Sequence, residues 1–158
     1  MEAPDLEVLE GLLSERLMAV LNTALEPEEP LLRSVFNLID DSEDPTPRAL
    51  PAAGILHDEE SWNADEILGE AVSKGGRERW KIVLLYPRPT RESGMRGKRG
   101  AYTGSKLVIE DLDGWQILAG CPISVDRRTR FAPRDANGEL APLTGYVLEI
   151  SHEVDYET

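Results

Sequence analysis

Apolar residues return every third or fourth position from Leu6 onward. Leu6, Leu9, Leu13, Leu17, Val20, Leu21 and Ala24 share one stripe, and Glu7, Glu10, Ser14, Glu15 and Arg16 take much of the other side. That period predicts an amphipathic helix over 5–25. Pro4 and Asp5 stand at its first turn, where proline and acidic side chains are favoured. The run Glu26-Pro27-Glu28-Glu29-Pro30 ends it. The pattern then shortens. Residues 31–39 (LLRSVFNLI) read as a strand or one more helical turn, the proline-rich break before them favouring the strand, and 40–47 as an acidic loop. Residues 49–57 (ALPAAGILH) read as a second strand. Pro51 and Gly54 interrupt it, which places it at a sheet edge or gives it a bulge.

Residues 62–73 read as a short amphipathic helix or an ordered insertion. Asn63 is its N-cap, Asp65 and Glu66 lie in its first turn, and Ile67, Leu68, Ala71 and Val72 form its apolar stripe. Lys74-Gly75-Gly76 closes it. Residues 80–86 (WKIVLLY) are the strongest strand. Ile82, Val83, Leu84 and Leu85 are consecutive, so both faces are expected to be buried, as in a central strand. Pro87 and Pro89 cannot donate to a ladder and end it.

A second helix is predicted over 102–112, with Leu107, Val108 and Leu112 as its apolar positions. Residues 116–123 are a short strand or a loop. Residues 123–131 and 144–156 form a long antiparallel pair around the turn signal Asp135-Ala136-Asn137-Gly138. Tyr146, Leu148 and Ile150 face one way; Val147, Glu149, Ser151 and Glu153 face the other, with His152 placed on that exposed side. Arg127, Arg128 and Arg130 are expected to pair across strands with Glu149, Glu153 and Asp155. The order of elements is that of an α+β fold: a mainly antiparallel sheet, helices packed on one face, and a long C-terminal hairpin. At 158 residues it is expected to be one domain, 1–158, with a flexible basic loop at 88–100.

Charge sharpens this picture. The net charge is -13, but residues 1–60 hold 15 acidic and 3 basic side chains while 61–107 hold 5 acidic and 10 basic. An acidic surface repels nucleic acid at long range, so no specific nucleic-acid binding is expected. Arg88, Arg91, Arg96, Lys98 and Arg99 concentrate in the glycine-rich loop. They are the candidate interface residues, placed to meet an acidic patch on another copy of the chain. The loop is not a phosphate loop, because the Gly-Lys-Ser/Thr ending is missing. It also lacks interleaved aromatic side chains for base stacking. No apolar run approaches the length of a bilayer span, and the acidic N-terminal stretch does not read as a secretory signal. A single cysteine, Cys121, rules out an internal disulfide and points to a reducing compartment.

No catalytic, cofactor-binding or metal residues are assigned. There is no HExxH, CxxC or nucleophile-elbow motif, and neither histidine has a partner at ligand spacing along the chain. His57, beside Asp58 and Glu59, reads as a surface residue. An enzyme is not expected.

The helix leading to a proline-containing strand (LPAAGIL), the hydrophobic strand WKIVLLYP, the basic glycine loop, the helix beginning RGAY and the hairpin ending YVLEISHEVDYET together form one arrangement. It resembles the tail terminator and Mu-like minor tail proteins of long-tailed bacteriophages. The resemblance implies a small α+β virion protein made in the host cytoplasm. It implies copies closing into a hexameric ring that caps the tail tube at the neck. The partners it implies are further copies of the chain, the tail tube protein, and sheath or neck and connector proteins, with no membrane. Two other readings stay open: a small acidic regulator that mimics nucleic acid, and another head-tail completion or tube protein.

Overall fold

A computed structural model of the chain describes residues 5–20, 32–38, 49–62, 66–68, 71–87, 100–132, 134, 137–138 and 143–157. The fold is α+β. The strands of its main sheet are β1 (Ser34–Asn37), β2 (Ala52–Trp62), β3 (Glu66–Leu68), β4 (Ala71–Pro87), β7 (Ser124–Phe131) and β8 (Leu143–Glu157). They run in the order β1-β2-β4-β8-β7, with β3 paired to β4 outside that path. A separate two-stranded ribbon pairs β5 (Gln116–Leu118) with β6 (Cys121–Pro122). Among these strands β1 and β2 run parallel, and every other pair is antiparallel.

Helix α1 covers Leu6–Glu15 and continues as a π-helical turn over Arg16–Val20. The Asp5 carboxylate caps it, accepting from the Glu7 and Val8 amides at 3.1 and 3.3 Å. The α-helical part is therefore shorter than the apolar stripe predicts, and residues 21–31 lie outside the described residues. Helix α2 covers Ala101–Leu112, as expected from its apolar positions. Both helices lie on the same face of the sheet. Leu9, Leu13 and Leu17 of α1 and Val108 and Leu112 of α2 share one buried cluster with Ile55, Trp80, Ile82, Leu84, Tyr86, Leu148 and Ile150.

Arg16 joins the helices. Its Nε and Nη2 donate to the two carboxylate oxygens of Asp111 at 2.9 and 3.0 Å, and its guanidinium lies 5.1 Å from the Trp115 ring centroid. Burying one leucine is worth ~2 kcal/mol, so the three leucines hold α1 more firmly than this partly exposed pair. Asp111→Asn is expected to cost about 1 kcal/mol. It would be read as a lower urea midpoint at unchanged slope.

The segment 62–73 is not a helix. β2 continues to Trp62, residues 66–68 pair with 71–73, and β4 begins at Ala71. The stripe of Ile67, Leu68, Ala71 and Val72 fits two short strands folded back on each other as well as one helical face. Pairing to a neighbouring strand decides between them, because residues 73–77 also pair with residues 153–157 of β8. β4 is thus far longer than residues 80–86. It is central, between β2 and β8, and it ends at Pro87 as expected.

β2 is not an edge strand, since β1 flanks it. Its bulge falls between His57 and Glu59, not at Pro51 or Gly54. Gly54 serves a different end: a Cβ there would meet the Phe36 ring at 2.8 Å, so its absence lets Phe36 lie across the strand.

The β7–β8 pair forms as expected, in continuous register from Arg127 opposite Glu149 to Phe131 opposite Gly145. Of the expected turn, Asn137 and Gly138 are described, with Gly138 at φ 79°. Asp135 and Ala136 are outside the described residues. Arg127 meets Glu149 at 3.7 Å. Arg128 instead turns to the helix side, donating to Ser105 Oγ at 3.2 Å and lying over the Tyr146 ring. Arg130 stands opposite Tyr146, not a carboxylate. Glu153 meets Arg77 of β4 at 3.8 Å.

Candidate functional site

The five basic residues singled out from the sequence, Arg88, Arg91, Arg96, Lys98 and Arg99, fall in 88–99, outside the described residues. The structure brings together a different group. It lies on the helix-covered face, at the end of the sheet where β2, β4 and β8 run past the hydrophobic core.

Three strands build it. Along β4, Glu78 is in phase with Trp80, Ile82 and Leu84, so alternation points its carboxylate to the same side as the core. Glu78 is fully buried. On β8, His152 follows Tyr146, Leu148 and Ile150 in the same phase, and it is also fully buried. The expectation of an exposed His152 is therefore wrong: a two-residue period from Ile150 carries it inward. Glu78 and His152 are direct partners across β4 and β8.

On β2, His57 and Glu60 are three positions apart. In a regular strand they would point to opposite faces. The bulge corrects this. His57 stands opposite Trp80, Glu59 opposite Arg79 and Glu60 opposite Glu78, with Asp58 left over. Both His57 and Glu60 are thereby aligned with Glu78 on one face. Asp58 turns to the other face, within 3.6 Å of Lys81 Nζ.

The contacts are close. His57 Nε2 lies 2.7 Å from Glu78 Oε2. The His57 ring meets the Trp80 ring edge-on, centroids 4.8 Å apart. Trp80 Nε1 donates to His152 Nε2 at 3.1 Å, and His152 Nδ1 is 3.2 Å from the Glu153 carbonyl oxygen. That pair of bonds defines a neutral ring with its proton on Nδ1. One nitrogen of His57 and one carboxylate oxygen each from Glu60 and Glu78 lie within 4.8 Å of one another. Glu78 Oε1 is buried and meets no hydrogen-bond donor among the described residues.

Burial and the adjacent Glu60 carboxyl, by hydrogen bond and by charge, push the Glu78 carboxyl up to about 8. Burial holds the His152 imidazole below its ordinary range, and the charges of Arg77 and His57 act the same way. From α1, Glu10 is raised by burial and by Glu7, against the pull of His57.

A second polar network occupies the opposite face. Arg77 Nε and Nη2 donate to Ser151 Oγ at 3.1 and 2.8 Å. Ser151 and Ser124 hydroxyls donate to the two oxygens of Asp126 at 2.6 and 2.7 Å. Burial raises the Asp126 carboxyl, but these bonds and the charges of Arg77 and Arg79 outweigh it and leave it below its usual value. Cys121 is buried and forms no disulfide.

The first group is the more unusual, because an enclosed carboxyl with an unused oxygen faces another carboxyl. Imidazole and carboxylate at this spacing suit proton sharing or a cation. No protein-family model matches the chain, and no characterised protein matches it in sequence.

Proposed function

We propose that this chain is a structural protein of a long-tailed bacteriophage particle. In this reading it is a tail terminator whose copies close into a ring, capping the tail tube and joining it to the head-proximal neck. The observation that carries the reading is the unequal treatment of the two sheet faces. Helices α1 and α2 seal one face over a single core. At the β3–β4 end of the other face, rows of both charges reach solvent. Arg79, Arg127 and Glu153 are exposed, and Arg77, Lys81 and Glu149 are half-buried.

A ring subunit must be stable alone and still present complementary patches to its neighbours. A domain sealed on one face and charge-striped on the other meets both needs. The α+β order, with its long β4–β8 pair, also suits the resemblance to tail terminators. The basic segment 88–100 supplies positive charge, and residues 1–60 supply negative charge. Partners in this reading are further copies, the tail tube protein and neck proteins.

Native mass spectrometry and negative-stain imaging of the full chain, alone and with purified tail tubes, test it. Six-fold rings, free or on tube ends, are expected. Deleting residues 88–100 is expected to leave far-UV circular dichroism unchanged and abolish the rings. A strict monomer in the presence of tail tubes, or normal rings after the deletion, would overturn the reading.

A further inference from the structure

We propose that His57, Glu60 and Glu78 form a binding site for one divalent transition-metal ion of the zinc class. An imidazole nitrogen with two carboxylate oxygens is a donor set that such ions accept, and hard ions such as calcium disfavour the nitrogen. The inference does not rest on the assembly reading.

Three observations converge. First, the donor atoms already lie within 4.8 Å of one another. Donors around a tetrahedral ion with bonds of ~2.0–2.2 Å stand ~3.3–3.6 Å apart, so modest side-chain adjustment centres an ion among them. The ion takes the place of the proton that links His57 Nε2 and Glu78 Oε2.

Second, Glu78 has an oxygen to spare. The side chain is fully enclosed, and Oε1 has no hydrogen-bond donor among the described residues. A buried, unsatisfied oxygen is costly, and two facing carboxylates cannot both ionise cheaply. A dication chelated by both oxygens of Glu78 removes the first cost, and its charge balances Glu60 and Glu78 together.

Third, the backbone is shaped for this set. The bulge after His57 is what brings His57 and Glu60 to one face, and the β2–β4 pairing sets Glu60 directly opposite Glu78. Bulges recur where a side chain must be re-aimed. The edge-on contact with Trp80 restrains the His57 ring. The site is also reachable: the His57 side chain is 27% exposed and Glu60 is half-buried. An ion can enter from solvent and keep a water as its fourth ligand. Among the described residues, Glu10 of α1 and His152 of β8 are the other titratable groups that feel the charge of His57. Bound there, the ion would tie β2 to β4 where the sheet leaves the cover of the helices.

The test uses the full chain, stripped with EDTA and titrated with ZnCl2 by calorimetry, with bound metal counted by elemental mass spectrometry. One ion per chain is expected, with Kd of about 10 µM or tighter. Zinc is expected to raise the Tm, and Co2+ in its place to give visible absorption bands of a four- or five-coordinate nitrogen–oxygen site. Glu78→Gln and His57→Gln each are expected to weaken binding at least ~10-fold and to remove the Co2+ bands. Glu110→Gln, on the exposed side of α2, is expected to change neither. Glu78→Gln keeps the side-chain shape, and circular dichroism of both variants separates lost binding from lost folding. No saturable zinc binding by the wild type, or binding unchanged in both variants, would overturn the proposal.

Discussion

Glu78→Gln is expected to make the metal-free protein more stable above neutral pH. In the unfolded chain this carboxyl loses its proton near 4.5; in the native protein burial and Glu60 hold it to about 8. Between those values the unfolded chain has released a proton that the native state still binds. Native stability therefore falls as pH rises from about 4.5, and the loss is complete above about 8. At 1.36 kcal/mol per unit the ceiling is ~5 kcal/mol, and adjustment by Glu60 brings the expected loss to ~2–3 kcal/mol.

His152 acts in the opposite direction. It accepts the Trp80 indole proton, so protonating Nε2 would destroy that bond, and burial opposes the charge. Its depressed value gives stability that is present above 6.5 and lost as pH falls below it. Urea unfolding in EDTA across about pH 5 to 9 should show the alkaline fall in the wild type from 6.5 to about 8, and little slope below 6.5, where on unfolding the proton taken up by His152 offsets the one released by Glu78. In Glu78→Gln the alkaline slope should vanish, since glutamine does not ionise and can donate to Glu60, and the acid slope of His152 should emerge. An unchanged alkaline slope in the variant would show that Glu78 is not the group responsible.

Much of the fold was legible in the periodicity. The run Ile82–Leu85 marked a central strand because only a strand buried on both faces tolerates four consecutive large apolar residues. The two helices showed through their stripes, and β8 through its alternation. The misreadings share a cause. The segment 62–73 carries a stripe that local spacing assigns to a helix, yet residues 66–68 fold back on 71–73, and the strand that continues from Ser73 is held by β8, which lies far along the chain and leaves no trace in local spacing. The start of β4 was hidden because Gly75, Gly76 and the charged residues that follow do not read as a strand unless β8 is already beside them.

The polar cluster was partly within reach. Glu78 and His152 stand in the inward phase of strands whose core faces were recognised. Extending each alternation by one step past Trp80 and past Ile150 finds both. His57 and Glu60 were not within reach, because their spacing puts them on opposite faces of any regular strand. Only the bulge reverses that, and the bulge follows from how β2 and β4 pair. Nor can the spacing of ligands along a chain reveal a site whose members come from two strands. The basic residues at 88–99 were conspicuous for the opposite reason: composition announces a charged loop without saying what it meets.

Gly104→Ala is expected to be among the most damaging single changes in the protein, although alanine is the better helix former by ~1 kcal/mol. Gly104 sits on the inward side of α2, where the helix crosses β4. A Cβ there would land on the phenol of Tyr86, and the Cε1 ring carbon would stand 2.7 Å away. The Tyr86 ring is itself buried and cannot withdraw, being enclosed by the core beneath the helix. Overpacking of this kind costs ~1–3 kcal/mol, and here the flexible end of a side chain is not what must yield. A net loss of about 2 kcal/mol is expected, read from the urea midpoint. The Tyr86 hydroxyl adds a second term. It is buried with no hydrogen-bond partner among the described residues, and burial pushes its ionisation well above the usual range. Tyr86→Phe removes an unsatisfied group and is expected to be neutral or stabilising. In the double variant the missing hydroxyl clears the nearest colliding atom, so the cost of Gly104→Ala should shrink by about half, leaving a coupling of ~1 kcal/mol in a double-mutant cycle. Strict additivity would mean that the helix shifts as a body to admit the methyl group. In that case the contact between α2 and β4 does not govern how closely the helix can approach the sheet.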